Sequence, residues 1–277
     1  MLIFEGFLKQ VKENPDALAL VDNKRFLTYK ELFEKSCQLA ATLNELDIKS
    51  QYVFILGTKS LESIIAILGT LFSGFTYVTL DINHPASRLD HIFSLLAPSG
   101  LILTGLNPRL QYEIKKMEEA PKYLLDLSGD VANDLLKESK RIQLKDHLIE
   151  PATYSDERIA YTLFTSGSTG QPKGVCISHR AASSALQMFQ NHIKFKAHDI
   201  ITNQAALCFD LSVFDIFGAL NIGGALSLIP PEITALPDRF FQMITEQKTT
   251  SLYTTPSTLE FLLKNKIAAQ ENVYFRK

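Results

Sequence analysis

Apolar residues recur along this chain in two rhythms, short continuous runs and longer runs at helical spacing, and their alternation is its main structural signal. Leu18–Val21 and Arg25–Leu27 flank the polar Asp22-Asn23-Lys24 and read as a small hairpin. Thr28 and Glu31 have the TxxE spacing of a capping box. It opens a helix whose apolar stripe is Leu32, Leu39, Leu43 and Leu46. Strand Tyr52–Leu56, helix Leu61–Phe72, strand Tyr77–Leu80, helix Arg88–Leu96 and strand Leu101–Thr104 follow. Residues 105–157 are less apolar and mixed in charge, so peripheral strands, loops and a helix over Val131–Ser139 are expected there.

The alternation resumes at Ile159 with two strands, Ile159–Phe164 and Val175–Ile177, and a helix over Ala181–His192. Strand Ile200–Ala205 precedes a second capping box, Ser212 with Asp215, whose helix runs to Leu220. Strand Ala225–Leu228, helix Asp238–Gln247, strand Ser251–Tyr253 and helix Thr258–Lys264 complete the series. Strands alternating with helices predict an α/β fold with mostly parallel, helix-covered sheets.

Composition narrows the function classes. With 277 residues, 46 % hydrophobic and 21 % charged, the chain has the make-up of a globular protein of one large or two modest domains. A net charge of −2 argues against nucleic acid or an anionic membrane as the main partner. Residues 63–80 carry no charge, but two glycines and a shift from helix-like to strand-like composition make them a buried helix and strand rather than a membrane span. Cys37, Cys176 and Cys208 are widely spaced and read as small core residues in a reduced, cytoplasmic setting. The six histidines show no close metal spacing, so no structural metal is expected.

The chemistry concentrates in residues 161–181, YTLFTSGSTGQPKGVCISHRA. Two β-favouring runs enclose a loop with the hydroxyls of Thr165, Ser166, Ser168 and Thr169. Gly167, Gly170 and Gly174 permit positive φ and close backbone approach, and successive N–H groups can form an anion nest. Lys173 adds a mobile cation behind Pro172. These devices suit a polyphosphate. The loop is not a Walker A, because a strand rather than a helix follows the lysine. On chemistry alone, a hydrophilic surface turn with an incidental lysine competes with phosphate binding.

TSGSTGQPKG (165–174) resembles the phosphate-loop signature of the adenylate-forming superfamily. That superfamily includes adenylation domains of nonribosomal peptide synthetases, D-alanine–carrier-protein ligases, acyl-CoA synthetases and luciferases. LTYKEL (27–32) resembles its LTYxEL motif, FTYVTLDINHPASRL (75–89) its AYVPLDPxxPxxRL motif, and FDLSVFDIF (209–217) the FDxSVxxIF of amino-acid-activating members. The resemblance implies that Thr165, Ser166, Gly167, Ser168, Thr169, Gly170 and Lys173 hold the phosphates of ATP. Thr165 and Lys173 would stabilise the departing pyrophosphate. It further implies that Asp210 pairs with the α-ammonium group of an amino acid, a selection that a buried carboxylate enforces. Leu211, Phe214 and Tyr253 would line the side-chain pocket, with Gln204 near the substrate carboxylate. Without the resemblance, Asp210 reads as a helix cap and Leu211, Phe214 and Tyr253 as core. Thr28, Glu31, Asp81, Pro85 and Arg88 match motifs but read as structural, through capping, turn geometry and an ion pair. Asp215 reads as a cap.

The implied activity is adenylation of an amino-acid carboxylate by ATP with Mg2+, before transfer to a phosphopantetheine carrier. A D-alanine–carrier-protein ligase-like enzyme and a non-catalytic interaction or regulatory module are the alternatives. The expected organisation is a first α/β subdomain over residues 1–157, with the phosphate loop and a partial second subdomain over 158–277. The resemblance covers roughly the front half of a family member, without the YGPTE-like and YxTGD segments, the magnesium-binding glutamate or the C-terminal lid domain with its lysine. A complementary fragment is therefore a conceivable partner. Losing one transition-state donor typically costs about 10²–10³ in rate. The purified 277-residue protein should accordingly show little amino-acid-dependent exchange of pyrophosphate into ATP, and robust exchange would overturn that expectation.

Overall fold

The structure, a computed structural model, describes residues 1–23, 25–105, 114, 121–127, 154–166, 171–234, 236–252 and 254–264. The helix expected over Val131–Ser139 lies outside them. The first elements are α1 (Glu5–Glu13), β1 (Leu18–Asp22), β2 (Arg25–Thr28), α2 (Tyr29–Glu45), β3 (Tyr52–Gly57), α3 (Leu61–Phe72), β4 (Thr76–Asp81), α4 (Ala86–Leu96), β5 (Gly100–Leu103) and β6 (Tyr123–Asp126). Then come β7 (Ile159–Ser166), β8 (Pro172–Ser178), α5 (His179–Ile193), β9 (Ile200–Asn203), α6 (Asp210–Leu220), β10 (Ala225–Leu228), α7 (Pro231–Thr234), α8 (Pro237–Glu246), β11 (Ser251–Leu252) and α9 (Pro256–Lys264). Most lie within a few residues of their predicted bounds. The strand β6 falls in the stretch where the hydrophobic pattern was too weak to place one.

Among the described residues two sheets result, of order β11-β9-β10-β1-β2 and β6-β5-β3-β4-β7-β8. The helix-covered, mostly parallel α/β architecture is the predicted one. Only the two hairpins, β1–β2 and β7–β8, are antiparallel among the described pairs. The chain divides into two compact units, but not at residue 157. One unit holds residues 1–33, 59–61 and 183–277, and the other holds 34–58 and 62–182. The N-terminal hairpin leaves its sequence neighbours because β1 pairs in parallel with β10, Leu20 opposite Leu226. Hydrophobic pattern identifies a strand without identifying its partner.

In the unit containing β3–β8, the strands β4 and β5 are buried along nearly their whole length, as parallel strands covered on both faces must be. Phe54 on β3 meets Phe93 on α4 edge to face, with ring centroids 4.9 Å apart. The uncharged stretch 63–80 is the buried α3 and β4, as its composition implied. Among the described residues no helix is long and apolar enough to cross a membrane. Gly69 permits a close crossing inside this unit, since a Cβ there would lie 2.8 Å from Leu39 Cδ2.

In the other unit, buried polar contacts seat α6. The Tyr29 hydroxyl donates to the Gly224 carbonyl at 2.6 Å, with the Leu220 carbonyl at 3.1 Å. Burial pushes that phenol well above its ordinary pKa. Asn221, at the end of α6, accepts from Phe7 N–H and donates to the Ile3 carbonyl, both at 2.9 Å. Of the cysteines, Cys37 is buried and Cys208 half-buried, but Cys176 is exposed. The core reading fails for Cys176 because β8 is an edge strand, exposed from Lys173 to Cys176.

The first capping box forms as predicted. Thr28 N–H donates to Glu31 Oε2 at 2.8 Å, and Glu31 N–H donates to Thr28 Oγ1 at 3.2 Å. Thr28→Ala should lower stability by about 1 kcal/mol in denaturant unfolding while Thr28→Ser retains most of it; equal loss in both variants would assign the effect to packing instead.

Candidate functional site

The two strands expected on either side of the phosphate-loop segment are β7 and β8. β7 and β8 pair antiparallel, with Thr165 opposite Lys173 and Ser166 opposite Pro172. Thr165 and Lys173 are both exposed at the mouth of the hairpin. Gly167, Ser168, Thr169 and Gly170 lie outside the described residues, and Ser166 is described by its backbone alone. Gly174 serves a different purpose from the one its loop position implied. It is a strand residue opposite Phe164, where a Cβ would lie 3.0 Å from Thr162 Cγ2 and 3.3 Å from the Phe164 ring. It makes room for those side chains rather than supplying positive φ.

The hairpin is anchored within its own unit. Tyr77 and Tyr161, paired across β4 and β7, stack with ring centroids 5.5 Å apart. The Arg88 guanidinium donates to the Phe164 carbonyl at 3.4 Å. Among the described residues Arg88 makes no ion pair with Asp81, whose carboxylate instead accepts from Asn83 N–H at 2.8 Å and shapes the turn before α4. Pro85 occupies the N-cap position of α4.

The second motif region belongs to the other unit, where β9 leads through residues 204–209 into α6. The predicted Ser212–Asp215 capping box is not there, because the helix starts two residues earlier, at Asp210. Ser212 is therefore inside the first turn, and its hydroxyl donates to Phe209 O at 2.6 Å and Leu207 O at 3.2 Å. Asp210 is exposed, and its Oδ1 accepts from Leu211 N–H at 2.9 Å. A buried carboxylate that enforces pairing is thus not found at position 210. What the first turn offers is an accessible anion.

Leu211 and Gln204 do come together, lining an open cavity of about 140 Å³ with Thr234, Thr254, Thr255 and Thr258. Gln204 Oε1 accepts from Thr254 Oγ1, while its buried Nε2 is without a partner among the described residues. Asp210 and Phe214 do not line this cavity. Phe214 is half-buried against Phe189, with ring centroids 5.0 Å apart. Tyr253 lies outside the described residues.

Beneath the β9–α6 connection is a polar group of which only Asp215 belongs to a motif. Lys59 is buried, and its ammonium donates to the carbonyls of Gln204 at 2.7 Å and Asn203 at 3.3 Å. Asn203 Nδ2 donates to Asp215 Oδ2 at 2.9 Å. Asp215 is 1 % exposed, which makes it a core carboxylate rather than a cap. Burial pushes its pKa up to about 8, against the Asn203 hydrogen bond and the Lys59 charge, which both lower it. Asp215 Oδ1 and Asn203 Oδ1 are both buried without partners among the described residues. A lysine between a buried strand and an apolar helix carries no signal of such a role in the sequence.

Among the described residues no group of three or more His, Cys, Asp or Glu is disposed to hold a metal ion.

In the folded state Asp215 keeps its proton at pH values where the unfolded chain, near 3.8, has lost it. The stabilisation from this bound proton is complete below about pH 4 and is lost as pH rises through about 8. Asp215→Asn removes the ionisation. Denaturant unfolding between pH 5 and 9 should show the wild type losing stability relative to the variant by up to about 1.4 kcal/mol per pH unit. Parallel curves would mean that Asp215 does not titrate upward.

The sequence matches the AMP-binding enzyme family over residues 7–275. It is 32 % identical over 95 % of its length to phenyloxazoline synthase MbtB of Mycobacterium sp. (strain MCS), covering 21 % of that protein. Its fold is similar to the crystal structure of IdnL7, with TM-score 0.81 and 25 % identity over 97 % of this chain and 52 % of that one. The AMPPNP-bound form of the nonribosomal peptide synthetase FmoA3 gives TM-score 0.80 and 24 % identity, over 99 % of this chain and 27 % of that one. The chain thus spans from about a fifth to about half of these three proteins. A match along nearly the whole chain, over a fold of the same architecture, establishes that it belongs to the AMP-binding enzyme family.

Proposed function

We propose that this chain provides the phosphate-binding and amino-acid-binding elements of an ATP-dependent adenylating enzyme. The observation that carries this reading is the β7–β8 register, which sets the exposed residues Thr165 and Lys173 opposite each other on either side of the Ser/Thr/Gly-rich segment. In the reaction a carboxylate oxygen of the amino acid attacks the α-phosphorus of ATP. The bond from that phosphorus to the bridging oxygen breaks, and pyrophosphate leaves with the electron pair. Charge builds on the leaving phosphates, where a hydroxyl donor and a cation lower the barrier without covalent chemistry. Thr165 and Lys173 take those roles, with Ser166, Gly167, Ser168, Thr169 and Gly170 as the cradle.

Asp210 pairs with the α-ammonium group, its accessible carboxylate at the first turn of α6 being free to meet a cation. Leu211 and Gln204 border the cavity that admits part of the substrate. The resemblance to amino-acid-activating members also assigns Phe214 and Tyr253 to the side-chain pocket, with Phe214 packed on Phe189. The aminoacyl product then passes to a phosphopantetheine thiol on a carrier protein.

Calorimetric titration of the 277-residue protein with ATP tests the nucleotide half of this reading. Lys173→Ala removes a charge-assisted contact and should weaken binding roughly tenfold or more. Equal affinity in both proteins would favour a module that keeps the fold without the chemistry.

A further inference from the structure

We propose that Lys59 is a positioning residue for the amino-acid end of the site, fixing the backbone where β9 gives way to the segment that carries Asp210. The inference rests on the function proposed above for Asp210, Leu211 and Gln204. The parallel ladder between β9 and β10 extends to Asn203 opposite Leu228, and Ile229 N–H closes it by donating to the Asn203 carbonyl at 3.2 Å. Gln204 is the first residue beyond that ladder. Its carbonyl receives the Lys59 ammonium at 2.7 Å, and the same ammonium reaches the Asn203 carbonyl at 3.3 Å. A charged donor on two consecutive carbonyls restrains two peptide planes at the point where the chain leaves the sheet.

The same lysine also acts on the far end of the connection. Asp215 lies on the buried face of α6, bonded to Asn203 Nδ2, and feels the Lys59 charge. Lys59, Asn203 and Asp215 thereby clamp the strand end to the helix, and residues 204–209 span the interval between them. Asp210 and Leu211 are the first two residues past that interval. A buried ammonium is costly unless paired, so a lysine 7 % exposed in this position indicates a contact the fold uses. An apolar residue of the same length would fill the volume and leave the Gln204 carbonyl without this donor.

The test compares the intact 277-residue protein with Lys59→Met and Lys59→Arg by amide hydrogen exchange at pH 7 and by binding of a panel of free amino acids. Lys59→Met should speed exchange over residues 204–211 by roughly tenfold or more while β1 and β10 keep their protection. It should weaken the amino acid that binds the wild type by a similar factor and leave ATP affinity unchanged, and Lys59→Arg should recover part of both losses. Unchanged exchange over 204–211 in Lys59→Met overturns the proposal. So does a uniform rise across β1, β10 and α6, which would make Lys59 a general stabiliser. If no amino acid binds the wild type, the reading of the site fails, and the exchange pattern alone still decides whether Lys59 positions this segment.

Discussion

Parallel pairing of β1 with β10 is the contact on which this architecture depends. Leu20 opposite Leu226 and Val21 opposite Ser227 bring the first strand of the chain beside one met far later. Parallel neighbours cannot be joined by a tight turn, so the intervening chain must cross over, and here it builds the whole second sheet on the way. Closing so long a loop is entropically costly, and contacts between its distant ends must offset it. Tyr29 to Gly224 and Asn221 to Ile3 and Phe7 are such contacts, each joining the N-terminal segment to the end of α6 or just beyond it.

This partition distributes the candidate chemistry. The Thr165–Lys173 hairpin belongs to one compact unit, and Asp210, Leu211 and Gln204 to the other. Each set is held by its own framework. The hairpin rests on the stacked Tyr77 and Tyr161 and on Arg88 at the Phe164 carbonyl, and α6 rests on Asn203, Asp215 and Lys59. Within α6, two aspartates five residues apart have opposite environments. Asp210 faces solvent, while Asp215 is buried and holds its proton to a higher pH.

Much of this was legible along the chain. Helical spacing placed α3 at its observed bounds, and continuous apolar runs marked β3, β4 and β5, because parallel strands buried on both faces leave little room for polar residues. The TxxE box at Thr28 worked because its partners lie three residues apart, within reach of one turn. The same logic failed at Ser212 and Asp215. There the helix begins earlier, at Asp210, and Asp215 turns inward to Asn203, a partner fixed by packing of α6 on β9. Cys176 was misjudged for a related reason, since an apolar run says nothing about whether its strand lies at the edge of a sheet.

The sequence by itself determined most of the elements, their α/β order and the family, since those follow from spacing and from motifs read residue by residue. It also marked Thr165 and Lys173 as a candidate pair, because a hairpin brings residues on either side of a short loop together. Only the tertiary structure decided which strands share a sheet, that Asp210 is accessible while Asp215 is not, and that Lys59 reaches Asn203 and Gln204. Burial and long-range hydrogen bonds depend on residues distant along the chain, and no local pattern encodes which of them will meet.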